Sequence, residues 1–144
     1  MNVHKILFPT DFSTTANEAL RMAVSLAREN GAKLLIVHVE EPPLAYGGGD
    51  MYYGVPTPSI DQIKTMLAEI DPGAPDVEVE RHLVTGEPAD AIVRLAEEEK
   101  ADLIVMSTHG RTGLTRLLMG SVAETVVRRA ACPVLTVKHP AVEE

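Results

Sequence analysis

The sequence predicts an α/β protein, a three-layer, doubly wound sandwich around a five-stranded parallel sheet. Three observations predict it. Short, nearly continuous apolar runs recur along the chain. Stretches with apolar residues at helical spacing separate them. Gly and Pro mark many of the joints. Near-continuous apolar strands suit a parallel sheet covered on both faces, and parallel neighbours need a crossover, usually a helix. The resulting order is βαβαβαβαβ.

The elements follow in order. Val3 to Phe8 (VHKILF) is the first strand, closed by Pro9. The first helix opens near Thr15, with Ala16, Leu20, Ala23, Val24 and Ala27 on one face. Thr15 and Glu18 have capping-box spacing, and Gly31 is its stop. Lys33 to Val39 (KLLIVHV) is the second strand, ended by Pro42-Pro43. Residues 40–58 break the rhythm, with four prolines, four glycines and all three tyrosines. So long a connection reads as functional or disordered; glycines that permit motion and tyrosines able to shield a base suggest closure over a ligand. Ser59 and Gln62 cap a shorter helix through Leu67. Val77 to Val84 alternates polar and apolar residues, as a strand with a more exposed face does. Pro88 opens a helix reaching about Lys100. Asp102 to Met106 (DLIVM) is the fourth strand. Ser121 and Glu124 have capping-box spacing at the start of the last helix, and Pro133 to Val137 is the fifth strand. No repeat or linker divides residues 1–144, so one domain is expected.

Composition narrows the function. Formal net charge is −8, which argues against general nucleic-acid binding and against an anionic membrane surface as partner. Aromatics are 3% of residues with no Trp, so the core is aliphatic. Cys132 is the sole cysteine, which precludes an intramolecular disulfide and points to a reducing cytoplasm. No apolar stretch approaches the roughly 20 residues of a membrane span, and the start of the chain reads as a strand rather than a signal peptide.

In open parallel sheets, ligands bind beyond the carboxyl ends of the strands, where the strand order reverses. Three segments meet there: Pro9-Thr10-Asp11, Ser107-Thr108-His109-Gly110, and Gly120-Ser121. The stretch GRTGLTRLLMGS, residues 110–121, has the chemistry of an anion site. Gly110, Gly113 and Gly120 let backbone N–H groups approach a phosphate. The last helix presents its amino end, Ser121 adds a hydroxyl, and Arg111 and Arg116 bring positive charge. The same glycines also read as turn residues, and Ser121 as a helix cap. The phosphate loop GxxxxGK[ST] is absent. His4, His82 and His139 have no ligand spacing with Cys132, so no zinc site is expected. His38 reads as structural and Cys132 as a packed thiol, while His109 sits in the loop where it bonds backbone, donates to a phosphate or, if a bound nucleotide is hydrolysed, serves as a general base.

Over nearly its whole length the chain resembles the universal stress proteins. KILFPTDFS is similar to that family's first strand and Asp-bearing turn, LLIVHVEEP to its second strand, and ADLIVMSTHGRTGLTRLLMGSVAETVVRRAACPVLTVK to its ending. ATP-binding members carry the pattern G-x2-G-x9-G-[ST]. Gly110, Gly120 and Ser121 match it, while Ser107 stands at its first glycine. The resemblance implies the strand order 3-2-1-4-5 in a Rossmann-like sandwich, ATP as ligand with Mg or Mn as the accompanying ion, and a homodimer joined through the last strand. It implies contacts from Pro9, Thr10 and Asp11 beside the adenosine, with Asp11 on base or ribose or holding the metal. It places the Val39 backbone at adenine, Met106 against ribose and base, and Val122 and Ala123 at the phosphates. Ser107 and His109 lie in the same loop region.

The expected function is that of a nucleotide-responsive regulator of the stress response, with an unnamed protein partner reading the bound state. Two alternatives stay open: a slow ATPase or nucleotidyl-transfer enzyme, and an interaction module that binds no nucleotide. A receiver domain is a competitor at the level of fold. It needs an acidic pair after the first strand and an acceptor Asp after a central one, and only Asp11 is in place.

Overall fold

A computed structural model describes residues 2–41, 51–52, 55–56, 58–108 and 120–138. Five strands form one parallel sheet: β1 (Lys5–Pro9), β2 (Lys33–Glu40), β5 (Val79–Thr85), β6 (Leu103–Ser107) and β7 (Val134–Val137). Two further strands, β3 (Met51–Tyr52) and β4 (Val55–Pro56), form a separate antiparallel pair. The large sheet has the order β5-β2-β1-β6-β7, which is the expected 3-2-1-4-5 counted over its own strands. Register runs from Lys5 opposite Lys33 to Pro9 opposite Val37, and from Ile104 opposite Val134 to Ser107 opposite Val137.

Strand side chains alternate between faces, and here both faces are buried. Ile6, Phe8, Leu34, Ile36, Leu103 and Val105 pack toward α1 (Ala16–Asn30) and the Leu67 end of α2 (Ile60–Ala68). Leu7, Leu35, Val37, Ile104 and Met106 pack toward α3 (Pro88–Glu99) and α4 (Ser121–Arg129). This double burial explains why β1, β2 and β6 read as continuous apolar runs. β5, at one edge, has no fully buried position, which is why polar and charged residues are interspersed along it.

Two expected caps form and two do not. At α2 the capping box is complete: Gln62 N–H donates to Ser59 Oγ at 3.1 Å, and Ser59 N–H to Gln62 Oε1 at 2.7 Å. Gly31 takes φ 62° and stops α1. Thr15, however, has helical dihedrals and no side-chain cap bond. Its hydroxyl pairs with Ser13 Oγ at 2.7 Å, and Glu18 pairs with Arg21. At α4 the capping residue is Gly120, one residue before Ser121. Glu124 N–H bonds Gly120 O at 3.0 Å, so Ser121 is already inside the helix, and the Glu124 carboxylate pairs with Arg128 at 3.5 Å. Spacing marks candidate caps; which residue turns extended is settled by how the preceding strand delivers the chain.

Strand limits shift by one or two residues. β1 starts at Lys5 because Asp102 Oδ2 accepts His4 N–H at 2.8 Å and Lys5 N–H at 3.1 Å, tying the strand entrance from the side chain. The connection over 40–58 is not wholly irregular, since it contains the β3–β4 pair. The reading of it as a closing segment lies largely outside the described residues. No described helix is long and apolar enough to cross a membrane.

Candidate functional site

β1 leads by way of α1 to β2 on one side, while β6 lies on β1's other side, so the strand order reverses between β1 and β6. Beyond the carboxyl ends of these strands opens a cleft of about 280 Å³. It is lined by Pro9, Thr10 and Asp11 from the β1 exit, Val39 from β2, Met106 and Ser107 from β6, and Gly120 through Ala123 at the start of α4. Ten of the sequence-expected site residues therefore meet around one cavity. The remaining two, His109 and Gly110, lie outside the described residues, as do Arg111, Gly113 and Arg116.

The β1 exit is a tight turn built from side-chain oxygens. Thr10 N–H donates to Val37 O at 2.8 Å, extending the ladder by one bond. Thr10 Oγ1 accepts Phe12 N–H at 3.0 Å, and Asp11 Oδ1 accepts Ser13 N–H at 2.9 Å. Phe12 takes φ 66°, a left-handed conformation unusual for a bulky side chain. Its ring compensates by packing on the first core face and against His38, centroid to centroid 4.4 Å. His38 is buried and donates Nδ1–H to Thr10 O at 2.8 Å. The expectation of a structural His38 matches that bond, yet the residue also lines the cleft.

Val39 offers its backbone. In β2, Leu34 N–H bonds Glu78 O and Glu40 O accepts Gly86 N–H, both toward β5, whereas Val37 O bonds toward β1. The direction of backbone groups alternates along a strand, so Val39 aims N–H and C=O toward β1. That strand has already ended at Pro9, opposite Val37. A donor and an acceptor thus stand side by side at the cleft wall.

α4 offers its amino end. Gly120 N–H is held by Thr108 O at 2.6 Å, and Gly120 has no side chain to cap the helix. The first-turn N–H groups of Ser121, Val122 and Ala123 have no partner within the helix itself, and all three residues line the cleft. Gly120 has φ −65° and ψ 154°, which any residue adopts, so its value here is space rather than backbone freedom.

Sequence reasoning missed Ala16, Glu41, Pro88 and Ile92, which also line the cleft. Thr108, which lines it too, belongs to a segment the sequence placed there but gave no individual role. Pro88 and Ile92 are one helical turn apart on α3, a signal visible only as part of an amphipathic face. Among the described lining residues there is no Lys or Arg, while Asp11 and Glu41 are acidic. Peptide dipoles, not side-chain cations, supply the described positive potential.

Residues 2–138 match the model of the universal stress protein family. A universal stress protein of Methanocaldococcus jannaschii is 38% identical over 147 residues, covering 94% of this chain and 82% of its own length. The crystal structure of a universal stress protein in complex with cAMP superposes with a TM-score of 0.70 at 30% identity, covering 96% of this chain and 99% of the other. A universal stress protein of Archaeoglobus fulgidus in complex with dAMP gives 0.69 at 29% identity, covering 96% and 100%. Fold, strand order and family match together assign this chain to the universal stress protein family.

Proposed function

We propose that the chain binds ATP in this cleft and acts as a nucleotide-responsive regulator. One observation carries the reading: the uncapped amino end of α4 and the Val39 peptide edge open into the same cleft. A helix amino end attracts phosphate. A neighbouring donor and acceptor match the Watson–Crick edge of adenine. A cavity of about 280 Å³ with apolar walls from Ala16, Ile92 and Met106 suits a ring system between them. The cAMP and dAMP complexes of relatives support an adenine nucleotide as the ligand class.

The acidic lining bears on the metal. A polyphosphate beside Asp11 and Glu41 needs compensating charge. An Mg- or Mn-type ion held on the phosphates, with one carboxylate and several waters, fits this donor set. Asp11 would hold it, its carboxylate oriented by the Ser13 N–H bond. Such an ion supplies charge neutralisation. In this reading the site residues are Pro9, Thr10, Asp11, Val39, Met106, Ser107, His109, Gly110, Gly120, Ser121, Val122 and Ala123. The protein works in the cytoplasm as a homodimer and signals through a partner.

Three measurements test it. Purified protein is denatured and any released nucleotide identified; nucleotide-free protein is then titrated with ATP by calorimetry, with and without Mg. Saturable ATP binding supports the reading, and its absence under both conditions supports the interaction module instead. Steady phosphate release near the ~1–100 s⁻¹ of kinases would replace the regulator with an enzyme.

A further inference from the structure

At the opposite end of the sheet from the cleft, the structure gathers Glu80, His82 and Glu99. Glu80 and His82 are two apart on β5 and share a face. Glu99 is the last residue of α3. One donor atom from each lies within 4.8 Å of the others, and all three residues are half-buried. We propose that these three side chains form a binding site for a late first-row divalent cation, zinc being the probe of choice.

The geometry supports this on three counts. The donor set is one imidazole nitrogen with two carboxylate oxygens, which suits zinc and its neighbours better than magnesium or calcium, whose sites are all oxygen. His82 Nε2 and Glu80 Oε1 share a hydrogen bond at 3.2 Å, the contact that an ion between them would replace. Two ligands each about 2.0–2.2 Å from one metal stand roughly 3–3.5 Å apart, so this pair is already spaced for a shared ion. The carboxylates are also held from behind. Lys33 Nζ bonds Glu80 Oε2 at 2.8 Å, which leaves Oε1 turned toward His82. Lys5 Nζ bonds the Glu99 carbonyl at 3.0 Å and lies 3.6 Å from its carboxylate. Such outer contacts orient metal ligands.

The two lysines limit affinity, because with Glu78, 3.5 Å from Lys33, they leave the cluster only weakly negative. Three protein ligands leave the remaining coordination positions to water. The expectation of no zinc site counted His and Cys spacing. It could not see Glu99, seventeen positions beyond His82 and brought over by the crossover of α3.

The test uses the full chain without nucleotide. Calorimetry with zinc chloride at pH 7.5 is expected to show one zinc per chain. His82→Ala and Glu99→Gln should each weaken binding at least tenfold. In the unaltered protein, zinc should protect His82 from carbethoxylation, read residue by residue by mass spectrometry. This measurement does not depend on any variant folding. Absence of zinc binding up to 1 mM (about the weak limit of specific association) overturns the proposal. So does binding that leaves His82 as reactive as before, or that survives both substitutions unchanged.

Discussion

Gly120 and Ser121 are adjacent and do different work. Gly120 is buried, its N–H is tied to Thr108 O at 2.6 Å, and it opens α4 without a side chain. Gly120→Val would put a branched side chain into the space where the proposed nucleotide's phosphates would approach, and at φ −65° the cost is steric. ATP at 100 times its dissociation constant should add roughly 2.7 kcal/mol to the stability of the parent. The valine variant should lose that gain in thermal melts while still unfolding cooperatively. Ser121 is exposed and does not cap the helix. Ser121→Ala should therefore leave apo stability within about 0.5 kcal/mol and weaken ATP only modestly. Cys132 shows burial acting on a titration. Desolvation pushes its thiol above the usual range, with the Asp102 carboxylate adding to the effect. A raised folded-state pKa means stability is full below the unfolded value, about 8.5, and falls as pH rises through the folded one. Alkylation at pH 8 should accordingly be slower in native than in unfolded protein, and the pH–rate curve should be displaced upward.

At the scale of elements, end groups decide more than propensity. Ser59 forms a reciprocal box with Gln62 at the head of a nine-residue helix, too short to be stable alone. Ser59→Ala should cost about 0.5–2 kcal/mol in chemical denaturation. Thr15→Ala should cost less, because Thr15 makes no cap bond to the longer, well-buried α1. Arg81 does comparable work at the other end of α2. Its guanidinium donates to Leu67 O at 2.9 Å and Ile70 O at 2.6 Å, satisfying carbonyls near the end of that helix from β5. The β1 turn is the reverse case, where a left-handed Phe12 is held by packing and by the Thr10 and Asp11 oxygens rather than by local preference.

For the whole molecule, the two sheet edges differ. β5 carries Glu80, Arg81 and His82, charged or titratable residues that discourage strand addition. β7 is four residues long and apolar apart from Thr136, and Leu135 remains exposed. An apolar edge of this kind invites self-association across a two-fold axis. We expect a dimer through β7, and Leu135→Lys should shift it toward monomer in sedimentation at micromolar concentration. A parent protein that sediments as a monomer with and without ATP would remove the dimer from the reading.

Much of the fold and the site was legible because it rests on local chemistry. The apolar runs of β1, β2 and β6 are continuous since both faces are covered, so they announce a parallel sheet. Gly31, Ser59 and Pro88 mark helix ends through constraints that act within one turn. The segments lining the cleft were legible because, in doubly wound sheets, clefts lie beyond the carboxyl ends of the strands. The sequence determined, in this way, where the cleft had to be and that peptide groups would line it. Tertiary structure alone decided what depends on which strand lies beside which. It ended β1 opposite Val37, leaving the Val39 edge unopposed, and gave the cap of α4 to Gly120 instead of Ser121. It also set Pro88 and Ile92 in the cleft wall and carried Glu99 to His82. Those relations depend on how separate elements are set against one another in space, and no pattern with a period of two or 3.6 residues encodes them.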